Sequence, residues 1–160
     1  MFSLTSPAFA NGESIPAKYT CDGERTLNPP LTFHDIPNGT QSLVLIMEDP
    51  DVPRALKPDG MFDHWVLFNI APFVSQIPEG ESSGLQGLNG SGGHGYSGPC
   101  PPSEHEPSEH RYFFRLYALD RELALPYGVS KQKVFEAMEG HMLAETELMG
   151  RYRKLVKKTV

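Results

Sequence analysis

Positive charge is scarce in this sequence of 160 residues: 14 Lys and Arg stand against 20 Asp and Glu, a formal net charge of -6. That balance argues against nucleic acid as a partner, and any bound anion needs donors placed locally because the overall field repels it. Long apolar runs are missing as well. No stretch approaches the ~18 continuous apolar residues of a membrane span, so no integral membrane association is expected. The opening "MFSLTSPAFANG" has neither the basic start nor the apolar middle of a secretory signal. Cysteine is limited to Cys21 and Cys100. They could pair, but two unpaired thiols in a cytoplasmic chain is the simpler expectation. There are no internal repeats.

Glycine and proline are plentiful, fifteen of each, and they punctuate short β-type runs. "PPLTFHDI" ends at "PNGT", a turn with Asn38-Gly39 at its tip. "SLVLIMEDP" is almost continuously apolar and reads as a strand buried on both faces. "HWVLFNIA" and "RYFFRLYALD" read as two more strands, and "EGESSGLQGLNGSGGHGYSGP" between them as a long surface loop. In the last of those strands Phe113 and Phe114 fall on opposite faces, so at least one belongs to the core. Near the C-terminus Ser130 is a candidate N-cap, and Val134, Phe135, Met138, Met142 and Leu143 form an apolar helical stripe, with a break or tight packing expected at Gly140. The length and the 39% hydrophobic content fit one domain, residues 1–160, with a β core and a helix or two appended. The basic tail "RYRKLVKK" reads as a solvated end.

Three clusters carry the chemistry-bearing side chains. "EDPDVP" places Glu48, Asp49 and Asp51 at the end of the first buried strand. "FDHWVLF" places Asp63 and His64 at the start of the second. "GPCPPSEHEPSEHRYFF" leads through four prolines to Glu109, His110 and Tyr112 at the start of the third. Prolines fix φ and donate no hydrogen bond, so that approach is a rigid loop against a strand. If the strand ends meet, two histidines, a carboxylate and a phenol converge. Histidine and carboxylate are ligand types for zinc or iron, yet no two share a diagnostic spacing, so neither a metal nor another cofactor is expected. Asp49 and Asp51 could serve acid-base chemistry, but Asp before Pro also makes a side-chain-capped turn, which is favoured here. A single histidine at a strand start is ordinarily a half-buried hydrogen-bonding group, so neither His64 nor His110 marks a site alone. Trp65 reads as packed beneath such a pocket. "GYSGP" lacks the strand-to-helix setting of a nucleophile elbow, and "GSGGHG" precedes no helix that would cradle phosphate.

Taken together, "DPDVP" after a buried strand, "DHWVLFNI", and "GPCPP" before "HRYFFRLYALD" resemble the phosphatidylethanolamine-binding protein family, in its bacterial and archaeal, Raf kinase inhibitor-like branch. "SPAF", "YTCDG" and "AMEGHMLAETELMGRY" are similar to that branch's N-terminus and C-terminal helix. The resemblance implies a mainly β fold: a large antiparallel sheet packed against smaller strands, with peripheral helices, one of them C-terminal. It implies a small preorganised pocket for anions such as phosphate, acetate or a phospholipid headgroup. Asp49, Pro53, His64, Pro101, Pro102, His110 and Tyr112 match the family's pocket positions. It further implies a non-catalytic binding protein, a protein kinase or protease as partner, and pairing into a homodimer. The rival expectation is a small hydrolase or transferase using Asp49 with a pocket histidine. One X-Pro bond of "DPDVP" is a candidate for the cis form. "SEHEPSE" looks longer and more acidic than the family's usual connection, with three roles open to it: narrowing the pocket, repelling anions, or touching a partner.

Overall fold

The apolar run that opens at Ser42 becomes the central strand. In the computed structural model, which describes residues 1–155, the elements follow in chain order. They are β1 (Ser3–Thr5), β2 (Leu31–His34), β3 (Ser42–Asp49), β4 (Phe62–Ile70), β5 (Gln76–Ile77), β6 (Leu85–Gln86), β7 (Glu109–Leu119), α1 (Lys131–Met138) and β8 (Met142–Arg153). Five strands, in the order β6-β4-β3-β7-β8, form the large sheet, and β1-β2-β5 form the small one. Neighbouring strands are antiparallel throughout. This is the mainly β architecture that the sequence implied.

Every residue of β3 is buried, because both faces of the large sheet are covered. Leu43, Leu45 and Met47 meet Leu4, Leu31, Phe33 and Ile77 of the small sheet. Val44 and Ile46 point the other way, towards Val134 and Met138 of α1. A strand covered on both faces cannot alternate apolar with polar, which is why this one reads as a continuous run. On β7 the alternation is visible. His110, Tyr112, Phe114 and Leu116 are buried towards the small sheet, while Arg111 is exposed and Phe113 and Arg115 are half-buried on the opposite face.

Three expectations are corrected. The C-terminal helix does not run to Tyr152: it ends at Met138, and residues 142–153 are β8. Ser130 does cap it, its Oγ accepting from the Lys133 N–H at 3.3 Å. Gly140 then turns the chain with φ at +79°, a conformation that glycine adopts without a Cβ clash. Beyond it β8 pairs with β7 from Met142 to Arg153, and Met142 and Leu143 are exposed rather than part of a stripe. The glycine-rich stretch before the prolines is not all surface loop. Leu85 and Gln86 pair with β4, and residues 95–99 are buried. The two cysteines are not free thiols: Cys21 and Cys100 form a disulfide across 79 residues of chain. Cross-links of that span typically stabilise by ~2–4 kcal/mol. The pairing also removes free thiols as an argument for a cytoplasmic setting. None of the described helices is long and apolar enough to cross a membrane. The tail's last five residues, 156–160, lie outside the described residues.

Candidate functional site

Glu48 and Asp49 are consecutive, so the strand sends them to opposite faces of the sheet. Glu48 turns towards α1 and pairs with Arg115 at 2.7 Å and Lys131 at 3.0 Å. Lys131 also meets Asp63 at 2.6 Å. Asp49 turns the other way and receives a hydrogen bond from His110 Nδ1 at 2.6 Å. This pair is almost wholly buried, with side-chain exposures of 4% for Asp49 and 1% for His110. The second Asp49 oxygen accepts the Asp51 N–H at 2.8 Å, so "DPD" is the side-chain-capped turn. Asp51 itself is held by Arg111 through three hydrogen bonds of 2.8–2.9 Å. The two aspartates therefore do not form an acid-base pair.

His64 reaches the same pocket because the ladder slips beside it. Met47 pairs with Trp65, yet Glu48 pairs with Asp63, leaving His64 as the extra residue of a bulge. Simple alternation would send His64 away from the face that Trp65 occupies, and a bulge re-aims such a side chain. The sequence contains no sign of that slip. Trp65, 1% exposed, packs edge-on against Tyr96 with ring centroids 5.5 Å apart and does not line the pocket.

The cavity measures about 280 Å³. Asp49, His64, His110 and Tyr112 line it, with Pro101 and Pro102 on the rim. Pro53 is not among the lining residues. Its carbonyl instead accepts the Leu56 and Lys57 N–H groups, in the turn that brings Leu56 to the mouth. None of residues 103–109 lines the cavity, so the acidic segment does not narrow it. Glu109 pairs with Arg151 at 3.0 Å. Among the described residues the one cis peptide is Glu106–Pro107, not a bond of "DPDVP".

Sequence reasoning missed Arg25, Phe62 and the disulfide as parts of this site. Arg25 lies on the loop after Cys21 and is the cation among the lining residues. The disulfide holds that loop to the proline rim, helped by hydrogen bonds from Cys21 N to the Pro99 carbonyl and from Gly98 N to the Arg25 carbonyl. A Cβ at Gly98 would stand 2.3 Å from the Tyr19 carbonyl oxygen, so the two segments meet this closely only with glycine there. Contacts across some 80 residues of chain leave no local signal.

The electrostatics separate the two histidines. At His110 burial opposes the charge, but the Asp49 hydrogen bond and charge, with Asp51 adding, hold the imidazolium above its ordinary range. The Pro107 carbonyl favours the charged form too, without making a hydrogen bond to Nε2. At His64 burial wins and lowers the value to about 4. Burial also raises the Tyr112 phenol, which stays protonated and able to donate. Among the described residues His110 Nε2 and the Tyr112 hydroxyl are buried without a hydrogen-bond partner, and no group of three or more His, Cys, Asp or Glu is arranged to hold a metal ion. Ser97 and Ser91 hydroxyls are hydrogen-bonded to each other at 3.1 Å.

Known proteins are similar to this chain over nearly its whole length. The family model for phosphatidylethanolamine-binding protein matches residues 5–153. A UPF0098 protein of Chlamydia trachomatis is 49% identical over 152 residues, 94% of this chain and 98% of that one. Another, from the archaeon Methanothermobacter thermautotrophicus, is 46% identical over 162 residues, covering 95% and 99%. Among solved structures, a Chlamydia trachomatis homologue of phosphatidylethanolamine-binding protein superposes with a TM-score of 0.89 at 48% identity, over 96% of this chain and 97% of that one. Escherichia coli YbcL, described as a member of the mammalian family, superposes with a TM-score of 0.83 at 26% identity, over 96% and 99%. Sequence matches in bacteria and archaea, a shared two-sheet fold and a family model spanning both sheets agree: the chain belongs to the phosphatidylethanolamine-binding protein family, in its bacterial and archaeal branch.

Proposed function

We propose that the pocket receives a small anion through a phosphate-type group, free or carried on a headgroup, and that the chain acts by binding rather than by catalysis. The observation that carries this reading is the pair of buried donors, His110 Nε2 and the Tyr112 hydroxyl, converging on one cavity without protein partners. Buried donors are seldom left unmatched, because the loss of water costs about 1–3 kcal/mol per group. Asp49 favours the protonated form of His110, in which Nε2 is a charge-assisted donor. Arg25 adds attraction at the mouth that an acidic protein otherwise lacks. The disulfide and the prolines hold the rim in place before binding, which spares ordering entropy. The proposed output is regulation of a protein kinase or protease partner, with the occupied pocket altering the surface presented by the rim.

Tyr112→Phe tests the reading. It removes one donor while keeping the ring, so phosphate affinity measured by calorimetry falls about 5- to 20-fold. The thermal midpoint does not fall, because a buried unmatched hydroxyl is lost with it. Unchanged phosphate affinity would count against the pocket. The second reading, a hydrolase or transferase, draws on the same dyad, with Asp49 orienting His110 and Nε2 as the base. It requires turnover that disappears in a pocket-histidine variant.

A further inference from the structure

The pocket's donors have one exception. His64 Nδ1 lies 2.6 Å from the Ser97 carbonyl oxygen. A carbonyl only accepts, so Nδ1 carries the ring proton. Nε2, on the other edge of the ring, has no protein partner among the described residues, and the side chain lines the cavity. His64 is 4% exposed. Its ring sits 4.6 Å from Phe62 and 5.2 Å from Tyr112, centroid to centroid. Burial keeps it neutral at pH 7. The Arg25 charge acts in the same sense, while the Ser97 carbonyl, Asp49 and Asp63 oppose without prevailing. Nε2 is then a lone pair, an acceptor set among the donors of His110, Tyr112 and Arg25.

An oxyanion without a proton meets that nitrogen lone pair against lone pair. An oxyanion that retains one O–H satisfies donors and acceptor together. Resting on the anion reading above, we infer that the pocket selects a phosphate that carries its own proton, hydrogen phosphate or a protonated monoester, over sulfate and phosphodiesters of similar shape. The division falls between free phosphate or a phosphomonoester headgroup on one side and an intact phospholipid, which is a diester, on the other. His64 acts here as a specificity-determining residue through the hydrogen-bond role of one nitrogen.

Calorimetric titration of the whole protein at pH 7 with inorganic phosphate, sulfate, methyl phosphate and dimethyl phosphate tests this. Phosphate is expected to bind at least about tenfold more tightly than sulfate, since the wrong ligand leaves a buried acceptor unmatched. Methyl phosphate should exceed dimethyl phosphate in the same direction. His64→Gln should bring the phosphate-to-sulfate ratio near one, because an amide can turn either its carbonyl or its NH₂ to the ligand. Should that variant fail to fold, the wild-type ratio still decides. Equal binding of phosphate and sulfate overturns the inference and leaves the anion pocket standing. A ratio unchanged in folded His64→Gln also overturns it. Binding of neither anion overturns both.

Discussion

Asp49→Ala is expected to cost about 3–5 kcal/mol at pH 5.5, the range for breaking one side of a buried ion pair. Asp49 and His110 are both nearly inaccessible and joined at 2.6 Å, so the substitution strips His110 Nδ1 of its charged partner. The Asp51 N–H loses its acceptor as well. The pH dependence follows from the direction of the His110 shift, raised by Asp49 against the pull of burial. A histidine whose folded value lies above its unfolded one contributes stability that is fully present below the unfolded value, near 6.5. That contribution is lost as pH rises through the folded value. The penalty of Asp49→Ala therefore shrinks between pH 5.5 and pH 9, towards that of lost hydrogen bonds. In the variant burial is opposed only by Asp51 and the Pro107 carbonyl, so the titration of His110 moves down and its charge-assisted donor is weakened. Urea unfolding at the two pH values reads the effect. A penalty that grows with pH would show that the pair is not ionic.

Phe114→Ala is expected to cost about 3–5 kcal/mol, whereas Phe113→Ala, its neighbour, costs less than about 1 kcal/mol. Phe114 is fully buried and packs with Phe9, ring centroids 5.9 Å apart, between the two sheets. Truncation leaves a cavity that a layer held by strands on both sides cannot close. Phe113 faces the other way and lies under the Arg111 and Arg115 guanidinium groups, at 5.5 and 4.8 Å from its ring. Comparable losses in the two variants would mean that the strand register is wrong, and with it the placement of His110 and Tyr112 on the pocket face.

The strands that frame the site were legible because their patterns are strong: nearly continuous apolar runs for β3, β4 and β7. Once β7 is a strand, alternation of its side chains puts His110, Tyr112 and Phe114 on one face. β8 was not legible as a strand. Val134, Met138, Met142, Glu145 and Met149 fit a helical spacing, while Ala144, Thr146, Leu148, Gly150 and Tyr152 fit a strand, and only the eleven-position pairing with β7 decides. Gly150 is informative afterwards: a Cβ there would stand 2.5 Å from Ile15 Cγ1, a close approach that a sequence does not display. The site divides the same way. Asp49, His64, His110 and Tyr112 stand out by their positions at strand ends and by family resemblance. The bulge that aims His64 and the disulfide that brings Arg25 to the rim arise from pairings far apart in the chain, and neither has a local pattern.

The most direct measurement is an NMR titration of the whole protein with phosphate and with phosphorylethanolamine, following the imidazole signals of His64 and His110. Saturable shifts of both histidines and of Tyr112, with His34 and His141 unmoved on the surface, are the predicted result. No shift at millimolar ligand, or shifts confined to other histidines, would contradict the claim that these buried donors form an anion pocket.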